Sequence, residues 1–403
     1  MRYLYQWLLP VLLLIFMTAC GGSSSKIIPT KAGDLISVSK LSTRTMGEIK
    51  TGLGGLTALG DLRYDVDTYK VIYKTTDTKG VLINVSGLLT VPKKDAGVTS
   101  PRLSLHHGTI LENKEAPSFN HQAFSTAVIA ASLGYIVTEA DYIGYGESAD
   151  RIHPHTQKET LSGAAIDLLR ASKTWLMQQN IAQNKQLFLG GYSEGGYATL
   201  AVQKRIQESL SEEFTVTASV PAESAYNITA TSQLQPDDRV YSFLFYAYIM
   251  KSYDETYELN LLPEMIRDSY FNVVNSYFDA IHSAKKISAL LPPLNSSADD
   301  FFKRDFLQRY NNGKISKLSE RFAENDLHDW IPTAPTRFFH GQDDRIVPFK
   351  PVEKLVQDMQ NKGAPDVKLI KCYAGGASTT HSNCFVPAML YSISFFVQYA
   401  TDL

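Results

Sequence analysis

Of 403 residues only three are cysteine and three are tryptophan, and neither sign of charge predominates. Lysine and arginine number 39 against 41 acidic residues, a formal net charge of −2. So few cysteines exclude a disulfide-built scaffold and a multi-cysteine zinc module. The balanced charge, without a basic cluster, leaves no electrostatic footprint for nucleic acid, and none is expected as a partner. There is no internal repeat and no low-complexity tract beyond one short tether. What is present is an ordinary globular composition, 44% hydrophobic, in a length that suits one α/β domain with an insertion.

The chain starts "MRYLYQWLLPVLLLIFMTACGGSSS", with one early positive charge, an apolar run containing Pro10, and small residues leading to Cys20. A spanning helix needs about 20 apolar residues, so this shorter run reads as an export signal. "MTAC" resembles the lipobox of bacterial lipoproteins, whose cysteine is diacylated and becomes the new N-terminus; Met17 departs from the usual leucine or β-branched residue. The resemblance implies a signal over 1–19, a lipid anchor to the membrane at Cys20, and a flexible tether in "GGSSS". Glycine after Cys20 resembles the outer-membrane sorting pattern of Gram-negative bacteria. A plain secretory signal cut nearby is the alternative. With Cys20 lipidated, Cys372 and Cys384 are left as an even pair in an oxidising compartment, bracketing "YAGGASTTHSN". A disulfide closing that loop is expected, with two buried free thiols as the alternative.

Beyond residue 60 strand patterns alternate with helical ones. "YKVIYKTT" (69–76) and "VLINVSGLLTVP" (81–92) read as an antiparallel pair joined by a turn at Asp77–Gly80. Further strands are expected at 102–108, 135–141, 186–190, 214–220, 336–341 and 366–373. Helical spacing fills 121–134, 158–180 and the stretch after Ser193. This alternation predicts an α/β fold with helices around a mostly parallel sheet.

"QLFLGGYSEGGYATLAVQKRI" (186–206) passes from an apolar strand through a glycine cluster into a helix. Strand–Gly–x–Ser–x–Gly–helix is the nucleophile-elbow pattern: the turn is tight enough to strain the serine backbone and to demand small neighbours two residues away. Ser193 is the candidate nucleophile. A serine hydroxyl needs a base, and the base an orienting acid. "TRFFHGQDDRIVPF" supplies Asp344, with Asp343 as the alternative, and His381 in "ASTTHSNCF" is the one histidine downstream. An oxyanion needs two fixed donors; the amides of Glu194, after the serine, and Thr109, in "LHHGTI", are the candidates. His106 and His107 are read as packing at a strand end, with no third ligand at metal-binding spacing. Neither metal nor cofactor is expected.

"GVLINVSGLLTVPK", "LHHGT", "ADYIGYGES", "GGYSEGGYAT" and "HGQDDRIVP" resemble, in this order, the α/β-hydrolase superfamily, most closely its secreted lipase and esterase branch. The resemblance covers about 60–220 and 334–400. It implies a Ser193–Asp344–His381 triad, oxyanion amides at Thr109 and Glu194, a loop-shaping role for Asp141, and a small ester as substrate. On this reading 20–60 is a tether and N-terminal segment and 61–403 the hydrolase domain. The aromatic, helical stretch 222–333 stands where the fold carries a cap, expected to roof a pocket for an acyl or aryl group. Most of its aromatics are read as the cap's own core. A serine peptidase of the prolyl-oligopeptidase kind, an acyl transferase and a non-catalytic binding lipoprotein remain as alternatives to an esterase.

Overall fold

The computed structural model describes residues 29–54, 61–122 and 125–403, so the signal segment and Cys20 lie outside the described residues. Strands β1 (Leu35–Arg44), β2 (Val66–Thr76) and β3 (Leu82–Pro92) pair antiparallel in succession, and β3 pairs antiparallel with β5 (Ile136–Ala140). Beyond β5 every pairing is parallel: to β4 (Arg102–His106), β6 (Leu187–Tyr192), β7 (Val216–Ala222), β10 (Thr336–His340) and β11 (Val367–Lys371). Among the described residues the sheet thus has nine strands, ordered β1-β2-β3-β5-β4-β6-β7-β10-β11. The β2–β3 turn is closed by the Asp77 carboxylate, which accepts the amides of Lys79 and Val81 at 2.9 Å each.

Helices α3 (Lys158–Gln178), α4 (Glu194–Ser209) and α12 (Phe349–Asn361) cover one face of the sheet. Helices α1 (Met46–Leu53), α2 (Thr126–Ser132) and α13 (Phe385–Val397) cover the other. Strand β6 shows why its sequence is apolar without alternation. Leu187 and Leu189 pack under α3 and α4, while Phe188 packs against Phe396 of α13, ring centroids 5.2 Å apart. A parallel strand buried on both faces has no polar side to display.

Two differences from the sequence reading bear on the sheet. Residues 35–44, within the N-terminal segment for which no strand was read, form the edge strand of the sheet, followed by α1, which Thr45 caps in a reciprocal box with Glu48. The strand "LISVSKLSTR" pairs on one side only and is mostly open to solvent, so burial imposes no apolar alternation on it. The seventh strand is displaced by two residues, because Phe214 lies buried beneath α3 and α4 ahead of the pairing.

Between β7 and β10 the chain leaves the sheet. This insertion carries α5 (Ile228–Ser232), α6 (Phe243–Thr256), α7 (Leu262–Met265), α8 (Asp268–Ser276), α9 (Ala284–Ser288), α10 (Arg304–Asn311) and α11 (Ser316–Glu324). A short ladder joins β8 (Arg239–Val240) to β9 (Ser296–Ser297). Its aromatics pack on one another, Tyr253 on Phe322 at 4.7 Å and Phe243 on Phe301 at 5.4 Å. It docks through polar contacts: His155 N–H to Ser252 Oγ at 2.8 Å, Tyr253 OH to the Thr156 carbonyl at 3.0 Å, and Tyr197 OH to the Asn325 carbonyl at 2.6 Å.

Candidate active site

Strand β6 ends at Tyr192 and helix α4 begins at Glu194, leaving Ser193 alone on the corner with φ +57° and ψ −125°. A non-glycine residue held there costs about 1–3 kcal/mol, which the surroundings must offset. The neighbours show how. A Cβ on Gly191 would lie 2.3 Å from the Gly195 carbonyl oxygen, and one on Gly195 only 1.9 Å from that of His106. A Cβ on Gly108 would come 3.0 Å from the Tyr192 carbonyl oxygen and 3.3 Å from the Ser193 Cβ, so the 107–109 loop lies directly against the elbow. In the first turn of α4 the Gly196 amide donates back to the Ser193 carbonyl at 2.8 Å, closing the corner.

His381 meets the serine from the loop before α13. Its Nε2 is 3.0 Å from Ser193 Oγ, and its Nδ1 is 2.7 Å from Asp344 Oδ2. Asp344 sits just past β10, its Oδ1 accepting the amides of Ile346 at 2.8 Å and Val347 at 3.0 Å. Burial would raise this carboxyl, but the hydrogen bond and charge of His381, with the Val347 amide, hold it below the ordinary carboxylate range. Asp343 points away and accepts the amide and hydroxyl of Thr379, both at 2.9 Å, tying the two loops together. The Cys372–Cys384 disulfide closes the His381 loop as expected, and the Cys384 sulfur would lie 3.0 Å from a Cβ on Gly341 beside Asp344. Closing a loop of this size contributes about 3 kcal/mol on the chain-entropy account.

The Glu194 carboxylate turns beneath the elbow, fully buried. It accepts the Thr156 amide at 3.1 Å and lies 2.8 Å from His153 Nε2 and 3.4 Å from His155 Nε2. Burial opposes its charge, but His155, His153 and the amide bring it down to about 2. His155 is pushed by burial down to about 4, and its Nε2 is 2.8 Å from the Thr109 hydroxyl. The two segments expected to supply oxyanion donors are therefore linked through His155. Sequence reasoning missed these histidines; the signal was "IHPHT", a pair at spacing two just ahead of α3.

His106 packs as expected, between Thr199 Oγ1 at 2.8 Å and Ser104 Oγ at 3.1 Å, and burial pushes it down to about 3. Asp141 ties three segments together, accepting from Ser86 Oγ at 2.6 Å, the Ser118 amide at 2.8 Å and Ser118 Oγ at 2.7 Å.

Ser193, His381 and Thr109 line one largely apolar cavity of about 530 Å³. The cap was expected to build it, yet among the described residues Phe245 is the single cap residue on its wall. The walls are instead the sheet face of Leu103 and Leu105 and the apolar side of α13, including Met389 and Phe396. Gly190 lines the same cavity, where a Cβ would meet Phe396 and Leu105 in ordinary contact at 3.5–3.6 Å. Phe245 apart, the cap aromatics stay off the cavity wall, with Tyr253 on Phe322 and Phe243 on Phe301 packed within the cap, as most were read from the sequence. One polar exception is Glu139 of β5, which lines the same cavity and is pushed up to about 7 by burial and by Asp141.

A mixed sheet with parallel strands around the elbow, a Ser–His–Asp relay at its carboxyl edge and a helical insertion after β7 define an α/β-hydrolase. The chain belongs to the secretory lipase family, whose model matches residues 115–390, and is a hydrolase acting on esters. No curated protein matches the sequence. Among solved structures it is similar to a rice cell wall degrading esterase LipA from Xanthomonas oryzae, with 23% identity and a TM-score of 0.78 over 92% of this chain and 97% of that one. A putative hydrolase from Legionella pneumophila gives 24% identity and a TM-score of 0.82, covering 91% and 98%. Candida antarctica lipase A in its closed state gives 17% and 0.65, covering 92% and 82%. At these identities the likeness is one of fold.

Proposed function

We propose that the chain cleaves carboxylic esters through an acyl-serine intermediate, with Ser193 as nucleophile, His381 as general base and acid, and Asp344 as its orienting partner. The observation that carries this reading is the relay of 3.0 Å and 2.7 Å hydrogen bonds from Ser193 through His381 to Asp344, beside an apolar cavity. Ser193 Oγ attacks the ester carbonyl as its proton passes to His381 Nε2. Asp344 stabilises the imidazolium through Nδ1. The oxyanion of the tetrahedral intermediate is held by the amides of Thr109 and Glu194, each such donor being worth about 10²–10³ in rate. His381 returns the proton to the leaving alcohol, and water then releases the acid by the same route in reverse.

The cavity supports an uncharged, apolar acyl group as the portion held beneath the serine, with α13 rather than the cap as its main contact. Turnover of p-nitrophenyl esters from acetate to palmitate tests the reading. Ser193→Ala should lower kcat by about 10⁶, with its fold unchanged by circular dichroism. Substantial turnover in that variant would overturn the assignment.

The lipobox-like "MTAC" supports export and anchoring at Cys20, in the outer membrane. Mass spectrometry of the N-terminal peptide from membranes should find diacylated Cys20; an unmodified N-terminus elsewhere would overturn the anchor.

A further inference from the structure

One buried acid beside the relay has no part in the chemistry above. Glu223 follows the last residue of β7 with φ +49°, a left-handed conformation that glycine or asparagine adopts more readily than glutamate. Strain of this kind persists where the side chain is needed. The residue is completely buried and locked in place, its amide donating to the Phe339 carbonyl at 2.9 Å. Its Oε1 accepts the Gly341 amide at 2.7 Å. Among the described residues no donor reaches Oε2. His340 Nε2 stands 3.5 Å from it, but that N–H donates to the Val347 carbonyl at 2.8 Å.

An acceptor buried without a donor is costly, and a carboxyl resolves the cost by carrying the proton itself. A partner is at hand. One carboxyl oxygen each of Glu223 and Asp344 and a ring nitrogen of His381 all lie within 4.8 Å of one another. On another side Glu223 lies within the same distance of both sulfurs of the Cys372–Cys384 disulfide, which offer no charge and no solvent. Two buried carboxyls this close cannot both ionise. The charge belongs on Asp344, which has His381 and two amides as donors, while Glu223 has one amide. Burial, then the neighbouring Asp344 carboxylate, pushes Glu223 well above the ordinary carboxylate range.

Building on the triad reading, we infer that Glu223 is a protonated second acid of the site, which donates a hydrogen bond to Asp344 and takes over the orientation of His381 when Asp344 is lost. In the native enzyme Glu223 is a positioning residue: its O–H holds Asp344 Oδ2 in line with His381 Nδ1. With Asp344 removed, burial still favours the neutral acid, but the neighbouring charge that adds to it is gone. Glu223 then ionises and presents a carboxylate to the imidazole from the neighbouring strand. The other ionisable groups facing it are His340, His381 and the phenols of Tyr192 and Tyr226.

The experiment measures kcat and KM on p-nitrophenyl butyrate for Ser193→Ala, Glu223→Gln, Asp344→Ala and the Asp344→Ala/Glu223→Gln double variant. Glu223→Gln keeps a donor toward Asp344 and should lose several-fold in kcat with KM unchanged. Asp344→Ala should lose about 10²-fold, well short of the roughly 10⁴-fold expected when the triad acid has no substitute. The double variant should fall to that 10⁴-fold loss. The residual rate of Asp344→Ala should climb with pH as Glu223 ionises, and this climb should vanish in the double variant. If glutamine at 223 prevents folding, Glu223→Asn replaces it, since asparagine tolerates the left-handed backbone. A double variant within two-fold of Asp344→Ala, or the same pH profile in both, would overturn the inference. Activity retained in Ser193→Ala would instead overturn the triad reading itself.

Discussion

Tyr192 precedes Ser193 in the chain, and its hydroxyl donates to the main-chain carbonyl of His381, 189 residues away, with the two rings 5.6 Å apart. The strand that presents the serine therefore also fixes the loop that presents the histidine. Loss of one such bond costs about 1 kcal/mol, and Tyr192→Phe should lower kcat about five-fold. KM should hold, because the tyrosine ring stays to line the cavity. A matched fall in kcat/KM, read on the same ester, checks it.

The disulfide acts on the same loop from its other end. Reduction should lower the unfolding midpoint, with a loss of about 3 kcal/mol by loop entropy. It should also lower kcat, because Cys384 opens α13 and abuts Gly341 at the turn leading to Asp344. Calorimetry and turnover with and without reductant measure both effects; Cys372→Ser/Cys384→Ser should match the reduced enzyme.

Gly195 allows no side chain. A methyl group there would sit 1.9 Å from the His106 carbonyl oxygen, a backbone atom of β4 that cannot give way. Gly195→Ala should separate the elbow from the 107–109 loop and abolish measurable turnover. The stability loss should exceed that of an ordinary surface change, at about 3 kcal/mol or more, as urea unfolding would report.

Glu139 makes substrate binding depend on pH. Below about 7 its carboxyl is neutral and compatible with an apolar acyl group; above that value a charge enters the cavity. KM for p-nitrophenyl butyrate should rise as pH passes 7, with Glu139→Gln removing the step. The sign for stability follows from the same proton. The unfolded chain releases it near 4.5 and the folded chain near 7, so this group lowers stability as pH rises between those values.

Legibility in the sequence followed how local each constraint was. The elbow could be read because strand, glycines and helix are adjacent, and the residues that meet there because chain order left His381 without a rival downstream of Asp344. The Cys372–Cys384 bond followed from counting. Strand β1 could not be read, since an exposed edge writes no apolar period into Leu35–Arg44. Glu223, His153 and His155 were silent for another reason. Their roles arise from three-dimensional closure between β7, β10 and the segment before α3; nothing beside Glu223 marks it, and the "IHPHT" pair does not by itself say which carboxylate it meets. The cavity wall was misplaced because aromatic richness in the cap reads the same whether rings face a pocket or each other. Here, Phe245 apart, they stay off the wall, which α13 and the sheet face of Leu103 and Leu105 supply.

The most direct measurement is to mix the enzyme with p-nitrophenyl butyrate, quench in acid during the burst, and map the added butyryl group by peptide mass spectrometry. The predicted result is one butyryl group on the peptide carrying Ser193, absent from Ser193→Ala. A butyryl group on any other residue, or full turnover with none trapped and Ser193→Ala still active, would contradict the account.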